Sequence, residues 1–274
     1  MKKNTKIILI IFIIVILALI ACYAIIGMNH DNNGQDVFNQ NNVLFKPKIG
    51  IISALDTETG ILVKNLDNKQ EKEIAGSTYY LGNIGNYQVI IVRCGMGKVS
   101  AAARTQAMID EYSPDCIINT GSAGALSEDL NVGDMVMSNS TVEWDLDTID
   151  LGNPRGYVSS LDKVFMNASP EIGNEIKSFI PSDVNVKIGL VVSGDQFVST
   201  DEQKSIILSS FPNALCEDME GAAIGHVCTQ NNVPFCVVRC ISNNANGDSG
   251  VDFAEFSADA GEKSASILLK LLKQ

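Results

Sequence analysis

The chain has 274 residues, 46% of them apolar and 19% charged, with a formal net charge of −12. That composition builds a large core easily, and the acidic balance excludes nucleic acid as a partner. Neutralising phosphates takes clustered Lys and Arg, and nothing basic is clustered beyond the first six residues.

Lys2, Lys3 and Lys6 precede an uncharged apolar run at residues 7–28. About 20 such residues span a bilayer as a helix. Positive charge before the run and none just after it keeps the N-terminus inside and exports the remainder. A signal peptide has the same basic-then-apolar order. LIAC at 19–22 resembles a bacterial lipobox, which makes Cys22 a lipidation candidate. Continuation of the run through Met28 favours an uncleaved anchor. On either reading residues 1–28 hold the protein at the membrane, with the rest on the extracytoplasmic face of a bacterial cell. A core helix would show a polar face, and this run has none. Residues 29–47 are polar and Asn-rich, a linker, and residues 48–274 are the length of one domain.

Within that domain, apolar runs at 48–55, 87–95, 115–121, 133–140, 186–194 and 234–242 read as strands. Several are nearly continuous Val and Ile, as in strands covered on both faces. Segments 100–112, 218–231 and 255–274 read as helices. The alternation predicts an α/β fold: a single α/β/α sandwich with a mixed, mostly parallel central sheet. Cys94, Cys116, Cys216, Cys228, Cys236 and Cys240 lie mostly in apolar runs, without a metal-like CxxC pair. They read as buried thiols acting as small apolar residues, an awkward fit with export, where free thiols are at risk.

The run at 237–248, VVRCISNNANGD, puts Arg239 in an apolar strand and Ser242, Asn243 and Asn244 at its end. In parallel α/β sheets that end faces ligands. Small residues gather in CGMGKVSAA at 94–102 and NTGSAGAL at 119–126. Two such turns suggest a polar pocket, since glycine lets backbone approach a ligand; the spacing is not that of a P-loop. Glu58, Asp195, and Asp218 with Glu220 are carboxylates such a pocket could use. Glu217, Asp218 and Glu220 also read as ordinary helix-start acids, and Glu58 as an exposed loop residue. His30 and His226 are the only histidines, so a His-based triad is excluded as a working hypothesis.

The ordered segments IGIISALDTE, CGMGKV, INTGSAG, VGDMV, VSGDQFV, DMEGAAIGHVC and VPFCVVRCIS, from 49 to 242, resemble the nucleoside phosphorylase/nucleosidase superfamily. Within it they are most similar to the bacterial 5′-methylthioadenosine/S-adenosylhomocysteine nucleosidases. The resemblance implies that Glu58 activates the water attacking ribose C1′, and that Ser122 and Arg239 hold that water. It implies Met219 and Glu220 at the ribose, with Glu220 taking the 2′- and 3′-hydroxyls. Phe197 would stack on the purine, the Val198 backbone would read its edge, and Phe253 would cap the 5′ substituent. It further implies a homodimer acting on a small purine nucleoside, with no metal and no organic cofactor.

One position departs from the pattern. Where the family has an aspartic acid that protonates purine N7, this chain has Asn243. An amide donates a hydrogen bond but gives up no proton at neutral pH. Two outcomes follow: a shift toward 6-oxopurines, or loss of catalysis to leave a surface nucleoside-binding protein. Entry of Asp248 as a substitute acid is the least favoured reading. EWDLDT at 143–148 also replaces a His-Asp pair. A phosphorylase is disfavoured, because Glu58 is the hydrolase-type residue and its charge would repel phosphate.

Overall fold

A computed structural model describes residues 46–244 and 249–274. The expected anchor with Cys22, nearly all of the linker, and Asp248 lie outside the described residues.

In chain order the elements are β1 (Lys48–Ser53), a 3-10 turn (Asp56–Glu58), α1 (Gly60–Lys64), β2 (Asp67–Ile74), β3 (Ser77–Ile84), β4 (Tyr87–Arg93), α2 (Lys98–Tyr112), β5 (Cys116–Ala125) and β6 (Met135–Glu143). A second 3-10 turn (Ile149–Leu151) precedes β7 (Met166–Asn167), α3 (Pro170–Lys177), β8 (Val186–Ser193), α4 (Asp201–Ser210), β9 (Ala214–Asp218), α5 (Gly221–Gln230), β10 (Phe235–Asn243) and α6 (Ser249–Leu272).

The six predicted strands and three predicted helices are all present, with bounds shifted by a few residues. The apolar strands β1 and β10 are buried almost throughout, as two-sided cover requires. β1 lies parallel between β4 and β5, and β10 runs parallel to β5 on its other side. The sheet is mixed: among the described residues five strand pairings are parallel and five antiparallel, the parallel ones running over the greater length.

Much of the antiparallel share comes from β2 and β3, absent from the sequence reading. β2, DNKQEKEI, is exposed along nearly its whole length and forms the sheet's outer edge. Its charges hide it from an apolar-run criterion, and charged side chains are how edge strands avoid further pairing. The β2–β3 turn is a two-residue one with positive φ at Ala75 (50°) and Gly76 (74°), which matches the twist of a hairpin.

The sandwich expectation is corrected at the other end of the sheet. β10 also pairs with β6, β6 with β8, β8 with β9, and β9 with β5, so β5, β10, β6, β8 and β9 close on themselves. Closure removes exposed edges there. α6 lies on β5 and β10, and α5 lies on β6, β8 and β10 and packs against α2. The six cysteines are buried and free. Burial pushes their thiols above the ordinary range, making them unreactive packing groups.

Candidate active site

A cavity of about 470 Å³ opens where β5 and β10 end and where β9 turns into α5. Glu58, Ser122, Phe197, Met219, Glu220, Arg239, Asn243 and Phe253 all line it, brought together from separate segments. Of the residues that the resemblance places at the substrate, Val198 does not line it; its side chain is buried.

Glu58 is not an exposed loop residue. It closes the 3-10 turn after β1 and is 1% exposed. Oε2 accepts the Ala54 and Leu55 amides at 3.0 and 2.9 Å; Oε1 accepts the Ser122 amide at 3.0 Å and its hydroxyl at 3.3 Å. Four donors thus fix the carboxylate in direction. The glycine before Ser122 permits this approach. A Cβ on Gly121 would lie 2.1 Å from Arg239 Nη1 and 2.8 Å from Glu58 Oε1.

Arg239 is equally buried, at 1% exposure, and spends most of its fork on the protein. Nε and Nη2 both reach Asp218 Oδ2 at 2.7 Å, and Nη2 donates to Asn119 Oδ1 at 2.6 Å. Glu220 Oε2 stands 3.6 Å from Nη2. Burial pulls the Arg239 pKa down, but Asp218, Glu220 and Glu58 together push it above its ordinary value. Among the described residues Nη1 bonds only the Ser122 carbonyl, at 3.5 Å, and it points toward the Glu58–Ser122 corner.

Asp218 and Glu217 are corrected from helix-start acids to the end of β9. Asp218 was among the carboxylates a pocket could use, but its tie to Arg239 was not foreseen. Its Oδ1 accepts the Ser193 hydroxyl and the Glu220 and Gly221 amides, while Oδ2 holds Arg239. The signal was an arginine in an apolar strand, which demands a buried acid somewhere. Glu220 sits at the start of α5 and accepts the Gly97 amide at 3.0 Å, so the CGMGK turn does aim an amide at an oxygen. Burial pushes the Glu220 carboxyl up to about 7, against the pull of Arg239 and with Asp218 adding to the rise.

At the other end of the cavity Phe197 and Phe253 meet edge to face, ring centres 5.3 Å apart. Asn243 is reached through a β-bulge: Ile241 pairs with Ala123 and Asn243 with Gly124, leaving Ser242 unmatched. A bulge re-aims side chains, and here it turns both Ser242 and Asn243 onto the cavity. The Ser242 hydroxyl donates to Asn243 Oδ1 at 3.0 Å. That orients the amide and leaves Nδ2 buried without a partner. Glu217 also lines the cavity, and it receives the Val198 N–H that the resemblance assigns to the purine edge.

Asp195 is not part of the cavity lining; it accepts the Lys98 amide at 2.8 Å. His226 bonds Glu143 at 2.8 Å, and Glu143 also takes Lys98. Burial opposes it, but His226 and Lys98 hold Glu143 below its usual value. This acid of EWDLDT is therefore a satisfied structural partner.

The family model described as the phosphorylase superfamily matches residues 48–273. A 5′-methylthioadenosine/S-adenosylhomocysteine nucleosidase of Staphylococcus aureus is 38% identical over 226 residues, 82% of this chain and 99% of that protein. The structure of the S. pneumoniae nucleosidase with the transition-state inhibitor MT-ImmA has a TM-score of 0.78 at 37% identity, covering 82% of this chain and 98% of that one. An aspartate-to-asparagine mutant of the Helicobacter pylori nucleosidase, with 5′-methylthioadenosine in its active site, has a TM-score of 0.79 at 30% identity over 83% of this chain and 99% of that one.

Proposed function

The chain belongs to the phosphorylase superfamily and, within it, to the 5′-methylthioadenosine/S-adenosylhomocysteine nucleosidase family; on that premise we propose that its cavity hydrolyses purine nucleosides carrying a modified 5′ group. It is an N-glycosyl hydrolase. Cleavage passes through a cationic, oxocarbenium-like sugar, and a carboxylate beside that sugar stabilises the developing charge and can take a proton from water.

Glu58 is the group that takes it. Ser122, whose hydroxyl is 3.3 Å from Glu58, and the free side of Arg239 Nη1 hold the water against C1′. Glu220 binds the ribose hydroxyls, Met219 backs the sugar, Phe197 stacks on the base and Phe253 covers the 5′ substituent. The observation that carries hydrolysis over phosphorolysis is charge. Glu58, Asp218 and Glu220 line the cavity beside a guanidinium that Asp218 already occupies. A phosphate dianion finds no free cation among the described lining residues. Release of adenine from methylthioadenosine, with and without phosphate, tests this. Equal rates are expected; a rate that requires phosphate overturns the hydrolase.

Asn243 favours a second reading of the base. Its unpartnered Nδ2 carries two N–H groups, suited to N7 and O6 of a 6-oxopurine. Paired adenine and hypoxanthine nucleosides, compared by kcat/KM, separate the two. An aspartate-to-asparagine mutant of one relative has 5′-methylthioadenosine in its active site, so loss of an acid within this family is compatible with occupancy; a wild type that binds nucleosides without turning them over would be a surface binding protein instead.

The setting is part of the same proposal. Residues 1–28 anchor the protein by an apolar helix or by lipid on Cys22, residues 29–47 tether it, and the domain works at the extracytoplasmic face as a homodimer. The support is the Lys-flanked apolar run and the family's usual assembly.

A further inference from the structure

Among the described residues, two buried polar atoms of the cavity lining have no hydrogen-bond partner: Asn243 Nδ2 and Glu217 Oε2. They stand on strands that flank one residue. Gly124 on β5 is the register partner of Asn243 on β10 and of Glu217 on β9. Adjacent strands lie about 4.8 Å apart, so the two backbones are roughly 10 Å apart. Gly124 places no side chain between them. A flat bicyclic ring, hydrogen-bonded along two edges, fits between two side chains reaching inward from that separation.

The two groups offer different chemistry. Asn243 has its oxygen engaged by Ser242 and presents only an amide, which keeps its protons. Glu217 is 4% exposed, and its carboxyl receives one donor, the Val198 N–H. Burial pushes it well above the ordinary carboxylate range, and Asp218 and Glu220 add to the rise; Arg239 offsets too little of it. That shift favours the protonated form, whose O–H would have no acceptor among the described residues. An orphaned buried carboxyl costs stability. Groups kept at that cost belong to functional sites more often than to cores.

We propose that Glu217 is the proton donor to the departing purine, acting on the ring edge opposite Asn243. The assignment rests on the hydrolase reading above. The Oε2–H bond breaks and its proton bonds to a purine ring nitrogen. The electron pair of the C1′–N9 bond stays with the base, which leaves neutral. Water forms the new C1′–O bond and gives its proton to Glu58. Glu217 ends as a carboxylate and Glu58 as an acid, and proton exchange with solvent resets both. Asn243 meanwhile donates its hydrogen bond along the other edge and holds the ring.

The test uses the full chain in membranes or detergent, with two substrates. One is methylthioadenosine. The other is the 5-methylthioribosyl glycoside of p-nitrophenol, whose phenolate departs without a proton. Glu217→Gln is expected to lower kcat/KM for methylthioadenosine by about 10²–10⁴-fold, the ordinary share of general acid catalysis. The nitrophenyl glycoside rate is expected to hold. Asn243→Asp, added to Glu217→Gln, returns an acid to the opposite edge and should restore adenine release. Wild-type cleavage of methylthioadenosine should fall as pH rises through the Glu217 pKa, because the donor must be protonated. Asp218, Glu220 and Arg239 face the same carboxyl, but both substrates feel their titration equally, so the difference between the two profiles isolates Glu217. Equal loss on both substrates would make Glu217 structural and overturn the assignment, as would an unchanged methylthioadenosine rate in Glu217→Gln. A wild type that binds methylthioadenosine yet cleaves neither substrate overturns the hydrolase reading itself, and this assignment with it.

Discussion

Replacing Asp218 with Asn tests what fixes the arginine at the centre of the site. Asp218 is a pure acceptor surrounded by donors. Oδ2 takes Arg239 Nε and Nη2, both at 2.7 Å; Oδ1 takes the Glu220 and Gly221 amides at 3.1 and 3.0 Å and the Ser193 hydroxyl. An asparagine has nearly the same shape but must place its NH₂ on one side or the other. On one side it abuts the guanidinium, on the other two backbone amides. Neither orientation is satisfied. Removing one partner of a buried ion pair costs about 3–5 kcal/mol. Here Glu220, 3.6 Å from Nη2, recovers a share, since losing Asp218 also removes one of the causes that raise its pKa. The lower end, about 3 kcal/mol, is the expected loss. For a domain of this size that is a fall in Tm of about 6–12 °C. Calorimetry on wild type and Asp218→Asn reads it directly, and methylthioadenosine turnover should drop as Nη1 shifts from the Glu58–Ser122 corner. A Tm within about 2 °C of wild type would refute the reasoning, because the ion pair would then carry little of the folded state.

Three further outcomes are expected. Glu58→Gln should abolish hydrolysis while nucleoside binding by calorimetry persists, because its role begins with the attacking water; wild-type turnover in that variant would remove Glu58 from the mechanism. Gly121→Ala should lower kcat by about 100-fold through displacement of Arg239 and Glu58, since its Cβ would meet Nη1 at 2.1 Å; unchanged kinetics would mean the loop has room the geometry denies. Protease shaving of intact cells should remove the domain, and Cys22→Ser should release it only if lipid is the anchor; a protected, cytosolic domain would end the surface reading.

The strands that hold the site were legible because burial on both faces forces unbroken Val and Ile, as in IGIIS of β1 and the strand around Arg239. β2 was illegible for the converse reason: an edge strand is written in charge. The missed helices α3 and α4 did carry start signals, Ser169 before Pro170 and Thr200 before Asp201, and both hydroxyls cap an amide. Their short length kept any helical period from standing out. Arg239 stood out by its place in an apolar strand, whereas Glu58 and Glu220 were only candidate carboxylates until the resemblance gave them roles, since a lone carboxylate after a strand has no periodicity. Asp218 was mistaken for a helix-start acid because DMEG is followed at once by helix. Its partner Arg239 is 21 positions away in the chain, and only the closing of β9 onto β5 makes them neighbours.

Closure of the sheet also explains why the acids of one small cavity can do opposite work. Each carboxyl is set by the donors the backbone brings to it. Asp218 receives amides from the turn into α5 together with a guanidinium, and it anchors. Glu58 receives four donors from two segments, which fix the direction of its oxygens. Glu217 lies next to Asp218 but has one amide in reach, and burial raises its carboxyl. Adjacent acids in different donor environments are how one site keeps a base and an acid at the same pH. The asparagine at 243 is consistent with that division. On the proposed assignment a second acid there would face Glu217 across the ring, whereas an amide would hold the ring and leave the proton to the other edge.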